Sequence, residues 1–126
     1  MKSNELMIGD WVQVPCLIDK TEHYDAWCKV RQLRDDDLDV IGFKELKYNE
    51  IVPIPLTTEI LEKNGFKREL NEDNIHYKFI LIYDGIRFSL LYARNVFQWL
   101  GPLDFKYVHQ LQHALRLCGI EKEIEL

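Results

Sequence analysis

The stretches Ile75 to Tyr83 and Ile86 to Ala93 are rich in aromatic and branched residues, and only Asp84-Gly85 separates them. An Asp-Gly pair tolerates the positive φ that a type I′ turn needs at both central positions, and that turn matches the twist of two antiparallel strands. A two-residue loop fixes the register. Tyr83 should then face Ile86, Leu81 face Phe88, Phe79 face Leu90 and Tyr77 face Tyr92. All lie on one side because side chains alternate along a strand. The other side carries His76, Lys78, Ile80, Ile82, Arg87, Ser89 and Leu91, a mixed set. One face is predicted to be core and the other partly covered. Val96 to Leu100 is expected to add a strand, ended by Gly101-Pro102.

Helices are predicted on both sides of this meander. Thr57 suits an N-cap, since its hydroxyl can accept from an amide of the first turn. Leu56 and Leu61 have the spacing of a hydrophobic staple, and Glu59 lies where the helix dipole favours negative charge. Gly65 supplies a left-handed stop and Phe66 can pack back on Leu61, so Thr58 to Asn64 should be a two-turn helix. A last helix is expected from about Phe105 to Cys118, with Asp104 as N-cap and Gly119 as stop. Tyr107, Val108, Leu111, Ala114, Leu115 and Cys118 share its apolar stripe; His109, Gln112, His113 and Arg116 share the opposite face. Glu121 to Leu126 reads as a short charged tail.

The first part of the chain reads as short strands: Trp11 to Val14, Ala26 to Leu33, Leu38 to Phe43 and Ile51 to Ile54. Asp19 to Asp25 is an expected loop, Asp35-Asp36-Asp37 a tight turn, and Glu45 to Asn49 one helical turn. Gly42 could permit a bulge, and Pro53 puts its strand at an edge or an end. Ala26, Cys28 and Val30 fall on one face, Trp27, Lys29 and Arg31 on the other. The expected class is α+β: an N-terminal small SH3-like barrel or curled sheet over 1–55, then helix, antiparallel β-meander and C-terminal helix over 56–126.

Bulk properties narrow the function. The 126 residues carry a formal charge of −5, which works against a phosphate backbone and an anionic membrane surface. Met1 to Asp10 lacks the apolar core of a signal peptide. The apolar run Phe79 to Tyr83 is too short to span a bilayer. The three cysteines, Cys16, Cys28 and Cys118, form no CxxC pair, so buried or half-buried thiols in a reducing compartment are expected, with the cytoplasm as the address. Trp11, Trp27, Trp99 and Tyr48 are read as core, since aromatic residues dominate core energetics.

No constellation of catalytic residues stands out, and no cofactor or metal is expected. His109 and His113 have a metal-ligand spacing, but Arg116 on the same face would oppose a cation. Cys28 with His23 and Cys118 with His109 fail as nucleophile pairs, because each cysteine lies on a core face. Asp35, Asp36, Asp37 and Asp39 lack the spacing of a calcium loop. The candidate binding residues are therefore His109, Gln112, His113 and Arg116, with Gln110 beside them as a hydrogen-bonding amide. The leading expectation is a non-catalytic binding or accessory protein acting on a protein partner. A nucleic-acid-binding module on the N-terminal barrel and a small enzyme with an unrecognised site stay open as alternatives.

Three motifs carry a resemblance. Asn4-Glu5-Leu6-Met7-Ile8-Gly9-Asp10-Trp11-Val12, Ile51-Val52-Pro53-Ile54-Pro55-Leu56-Thr57 and Tyr107-Val108-His109-Gln110-Leu111-Gln112 resemble, in order, the motifs of a family of small uncharacterised proteins. That family is found in gut anaerobic bacteria and their phages and mobile elements. The chain departs from it at His113, where the family more often has Asn, and between Asp19 and Asp39, which is longer and more acidic. The resemblance implies a phage or mobile-element origin and no particular activity.

Overall fold

The Asp84-Gly85 turn forms in the computed structural model, which describes residues 5–17, 23–99 and 103–126. Asp84 and Gly85 have φ of 50° and 79°. The flanking strands pair Tyr83 with Ile86, Leu81 with Phe88, Phe79 with Leu90 and Tyr77 with Tyr92, the register the turn demands. Gly101-Pro102 and most of the loop expected over Asp19 to Asp25 lie outside the described residues.

The chain divides into two compact units, Met1–Ile54 and Pro55–Leu126. Both are built from antiparallel strands, and the class is α+β. The N-terminal unit contains β1 (Trp11–Leu17), β2 (His23–Leu33), β3 (Asp37–Val40), β4 (Phe43–Lys47) and β5 (Val52–Pro53) in one sheet, ordered β4-β3-β2-β1-β5. β5 lies at an edge, where Pro53 costs no ladder hydrogen bond. Leu6, Val12, Val14, Cys28, Val30, Leu38, Val40 and Ile51 form the buried core.

Two expectations for this unit are corrected. Leu38 to Phe43 is not one strand, because Ile41-Gly42 turns the chain between β3 and β4, with Gly42 at φ 104°. Glu45 to Asn49 is not a helical turn. Strand β4 runs to Lys47, and a 3-10 turn follows over Tyr48–Glu50.

The C-terminal unit opens with α1 (Thr58–Lys63). Thr57 Oγ1 accepts from the Ile60 amide at 3.2 Å. The helix ends in a Schellman turn, in which Phe66 N–H donates to Leu61 O at 3.0 Å and Gly65 N–H to Glu62 O at 3.2 Å. The sheet that follows is β6 (Lys67–Leu70), β7 (Tyr77–Tyr83), β8 (Ile86–Ala93), β9 (Val96–Trp99) and β10 (Leu103–Phe105), each beside its sequence neighbour. Its buried face is aromatic. Phe66 meets Phe88, Phe79 meets Phe97, and Trp99 sits between Phe88 and Phe105 at 5.4 and 5.7 Å. Trp99, expected as core, packs against that face and stays half-buried.

The last helix, α2 (Val108–Leu117), starts later than expected. Asp104 belongs to β10 and is not the N-cap. Tyr107 holds that position, and Gln110 Oε1 accepts from the amides of Lys106 at 2.7 Å and Tyr107 at 3.0 Å. A side-chain oxygen in the first turn thus reaches back to donors ahead of the helix. The charged tail that follows is held against the unit. Ile120 and Ile124 are buried. The buried Asn64 donates to Glu125 O and accepts from Glu125 N, both at 2.7 Å.

Candidate functional site

The face of the N-terminal sheet opposite its core carries the most distinctive exposed chemistry. Trp11 lies opposite Lys29 and Gln13 opposite Trp27 across β1 and β2, while Val52 of β5 lies opposite Gln13. Period-two alternation puts these five side chains on one face, because Val12, Val14, Cys28 and Val30 fill the other. Trp27 is 48% exposed, and Val52, on the far side of β1, is exposed too. The indole Nε1 of Trp27 donates to Gln13 Oε1 at 3.1 Å, which fixes the ring plane. The Lys29 ammonium stands 5.2 Å from the centroid of the Trp11 ring, a cation–π arrangement. The expectation that Trp27 is core is corrected. The same alternation that buries Cys28 sends Trp27 outward.

The face continues past Lys29 into an apolar groove of about 450 Å³ lined by Ile8, Gly9, Lys29, Val30, Arg31 and Ile41. Asp10 supports one wall from inside. Its fully buried carboxylate accepts from Met7 N–H at 2.8 Å, and its backbone oxygen accepts from Val30 N–H at 2.8 Å.

On the β2–β4 side, Arg34 binds two carboxylates, Asp37 through Nε and Asp39 through Nη2, the latter at 2.6 Å. Arg34 and the Glu45 amide hold the Asp39 carboxyl down at about 2. Tyr48 Oη donates to Arg34 O at 2.5 Å. The acidic run is thus divided, with Asp37 and Asp39 satisfied by an arginine and by backbone. Among the described residues no group of three or more His, Cys, Asp or Glu side chains is placed to hold a metal ion.

The residues singled out on the last helix do not share an exposed face. His109 and Gln112 are buried, at 5% and 7% exposure. His113 is half-buried and only Arg116 is exposed. The His109 ring stacks on Tyr107 at 5.9 Å and meets His113 edge to face at 5.7 Å. Gln110 caps the helix rather than facing a ligand. The apolar stripe is narrower than the arc the unit covers, so polar residues at its margin are enclosed. At the far end Leu117 is exposed and Cys118 only half-buried.

Trp27, Ile8 and Ile41 were not legible as a joint surface. The alternation around Cys28 was the signal that could have found Trp27. Ile8 and Ile41 meet only through strand pairing. Compared with known proteins, the chain matches no family model, no curated protein and no solved structure. No helix among the described residues is long and apolar enough to cross a membrane.

Proposed function

We propose that this chain is a non-catalytic binding or accessory protein of phage or mobile-element origin, acting in the cytoplasm on a protein partner through its N-terminal unit. The single observation that carries the reading is the exposed face of β1, β2 and β5. Trp27 is held in place by Gln13, next to a Lys29–Trp11 pair. Tryptophan is among the side chains that dominate the energetics of protein recognition, and an exposed indole with a fixed ring loses little freedom on binding. The strand order supports an SH3-like barrel. After the 3-10 turn, β5 returns to lie beside β1, which lets a five-stranded sheet curl toward closure.

A base-stacking platform for nucleic acid is the rival reading, since a tryptophan with a cation suits it too. Residues 1–54 carry seven Lys and Arg against eleven Asp and Glu, a balance that weakens binding to a chain of phosphates. Affinity capture from the native host tests the two. Wild-type protein should retain a protein partner through nuclease treatment, and Trp27→Ala should lose it. An identical set recovered by both proteins, or a set abolished by nuclease, would overturn the proposal.

A further inference from the structure

The groove beside Lys29 has a more specific chemistry than the tryptophan face. Strand β2 is gripped on both sides at the same point. Gly9 N–H donates to Val30 O at 2.8 Å, and Ile41 N–H donates to Lys29 O at 2.9 Å. Two turns therefore flank β2, and each lifts an isoleucine into solvent. Ile8 is 63% exposed and Ile41 61%. Turns ordinarily take Gly, Asn, Asp, Ser or Pro, each for a backbone reason, and isoleucine serves none of those reasons. Neither side chain belongs to the core cluster. Gly9, with φ 91°, leaves the floor between them without a side chain. Arg31, exposed, lies where the β2–β3 register shifts between Val30 and Gln32, and bulges of this kind re-aim side chains. Among the described residues, Arg31 and Lys29 are the charged ones in the lining, and both are cationic.

The geometry points to this groove as the docking site of a short extended peptide segment in which large apolar side chains alternate with one or two carboxylates. The inference rests on the reading of the N-terminal unit as a binding module. The apolar side chains lie between Ile8 and Ile41, and the carboxylates meet Arg31 and Lys29. An extended segment presents alternate side chains to one face, so an apolar–acidic alternation separates the two contacts. Two cations match one or two carboxylates, whereas a nucleic-acid strand brings a charge with every nucleotide to a unit that is itself acidic. Aliphatic lips also offer bases no stacking partner, which an aromatic platform would.

Fluorescence anisotropy on the full chain tests this with three labelled probes. They are a short peptide alternating leucine and glutamate, its leucine–lysine counterpart, and an oligothymidylate of similar length. The glutamate peptide should bind at least about tenfold more tightly than the lysine peptide, and less tightly as salt rises. Arg31→Glu, which leaves Lys29 facing a carboxylate, should abolish that preference. Ile8→Ser with Ile41→Ser should weaken the glutamate peptide about tenfold, with a thermal midpoint within about 4 °C of wild type, as expected for exposed sites. Equal binding of the two peptides, indifference to the isoleucine changes, or preference for the oligothymidylate would overturn the inference. If no probe binds but Trp27→Ala still loses a captured protein, the ligand chemistry is wrong and the binding-module reading stands. If neither assay responds, both fall.

Discussion

Arg94 occupies a backbone position that its side chain disfavours. It forms with Asn95 the two-residue turn between β8 and β9, at φ of 55° and 62°. Asparagine tolerates that region, but for arginine the Cβ crowds the following carbonyl, at a cost of about 1 kcal/mol. Arg94 is exposed, so relief of that strain should appear directly as stability. Arg94→Asn is expected to stabilise the unit by about 0.5–1 kcal/mol. The measurement is urea unfolding followed by Trp99 fluorescence, with Trp11 and Trp27 replaced by Phe in both proteins. A raised midpoint with unchanged slope is the expected result; an unchanged midpoint would show that the turn is not strained. Trp27 shows the same dependence of a residue on its setting. Its hydrophobicity predicts burial, yet its place between Ala26 and Cys28 on β2 directs it outward, and Gln13 supplies the partner its N–H requires.

At the scale of elements, local signals account for much of what is seen. The cap at Thr57, the stop at Gly65 and the turn at Asp84-Gly85 each rest on backbone chemistry within a few residues, and each forms as expected. Elements fixed by distant partners were not legible. Strand β6 is polar and exposed in its side chains and exists because it pairs with β7. The segment after α2 is charged, yet Asn64 holds it from the end of α1 by pairing with both backbone groups of Glu125. The Asn64 amide also donates to Ile60 O at 2.8 Å. Asn64→Ala should therefore cost about 1 kcal/mol, since it removes the hydrogen bonds that join the end of α1 to the Glu125 backbone. Faster amide exchange at Glu125 should accompany the lower urea midpoint. Native stability in this variant would show that the tail is held by Ile120 and Ile124 alone. On α2 the burial of His109 and Gln112 was not legible for a related reason. A helical wheel gives the polar and apolar faces, but the covered arc depends on what surrounds the helix, and here it encloses His109 and Gln112.

At the scale of the whole molecule, both units contain a carboxylate whose ionised form is favoured by its neighbours. Asp39 in the first is held by Arg34 and the Glu45 amide. Asp73 in the second is held well below the usual carboxylate range by the His76 amide, the His76 imidazole and the Ile75 amide. Asp39 ionises at about 2 when folded, against about 4 in an unfolded chain. Its contribution is therefore complete above about pH 4 and is lost as pH falls through about 2. Arg34→Gln should move the Asp39 titration, followed by carboxyl NMR, back toward 4 and shift acid unfolding to higher pH. A wild-type Asp39 that already titrates near 4 would show that the ion pair does not form in solution. The sequence by itself determined the α+β class, the central hairpin with its register and the ends of α1. These depend on turn chemistry, caps and alternation, which act over a few residues. Only the tertiary structure decided that Ile8 and Ile41 flank one groove and that His109 and Gln112 are buried. Periodicity assigns residues to faces, but whether a face meets water depends on surfaces supplied by distant parts of the chain.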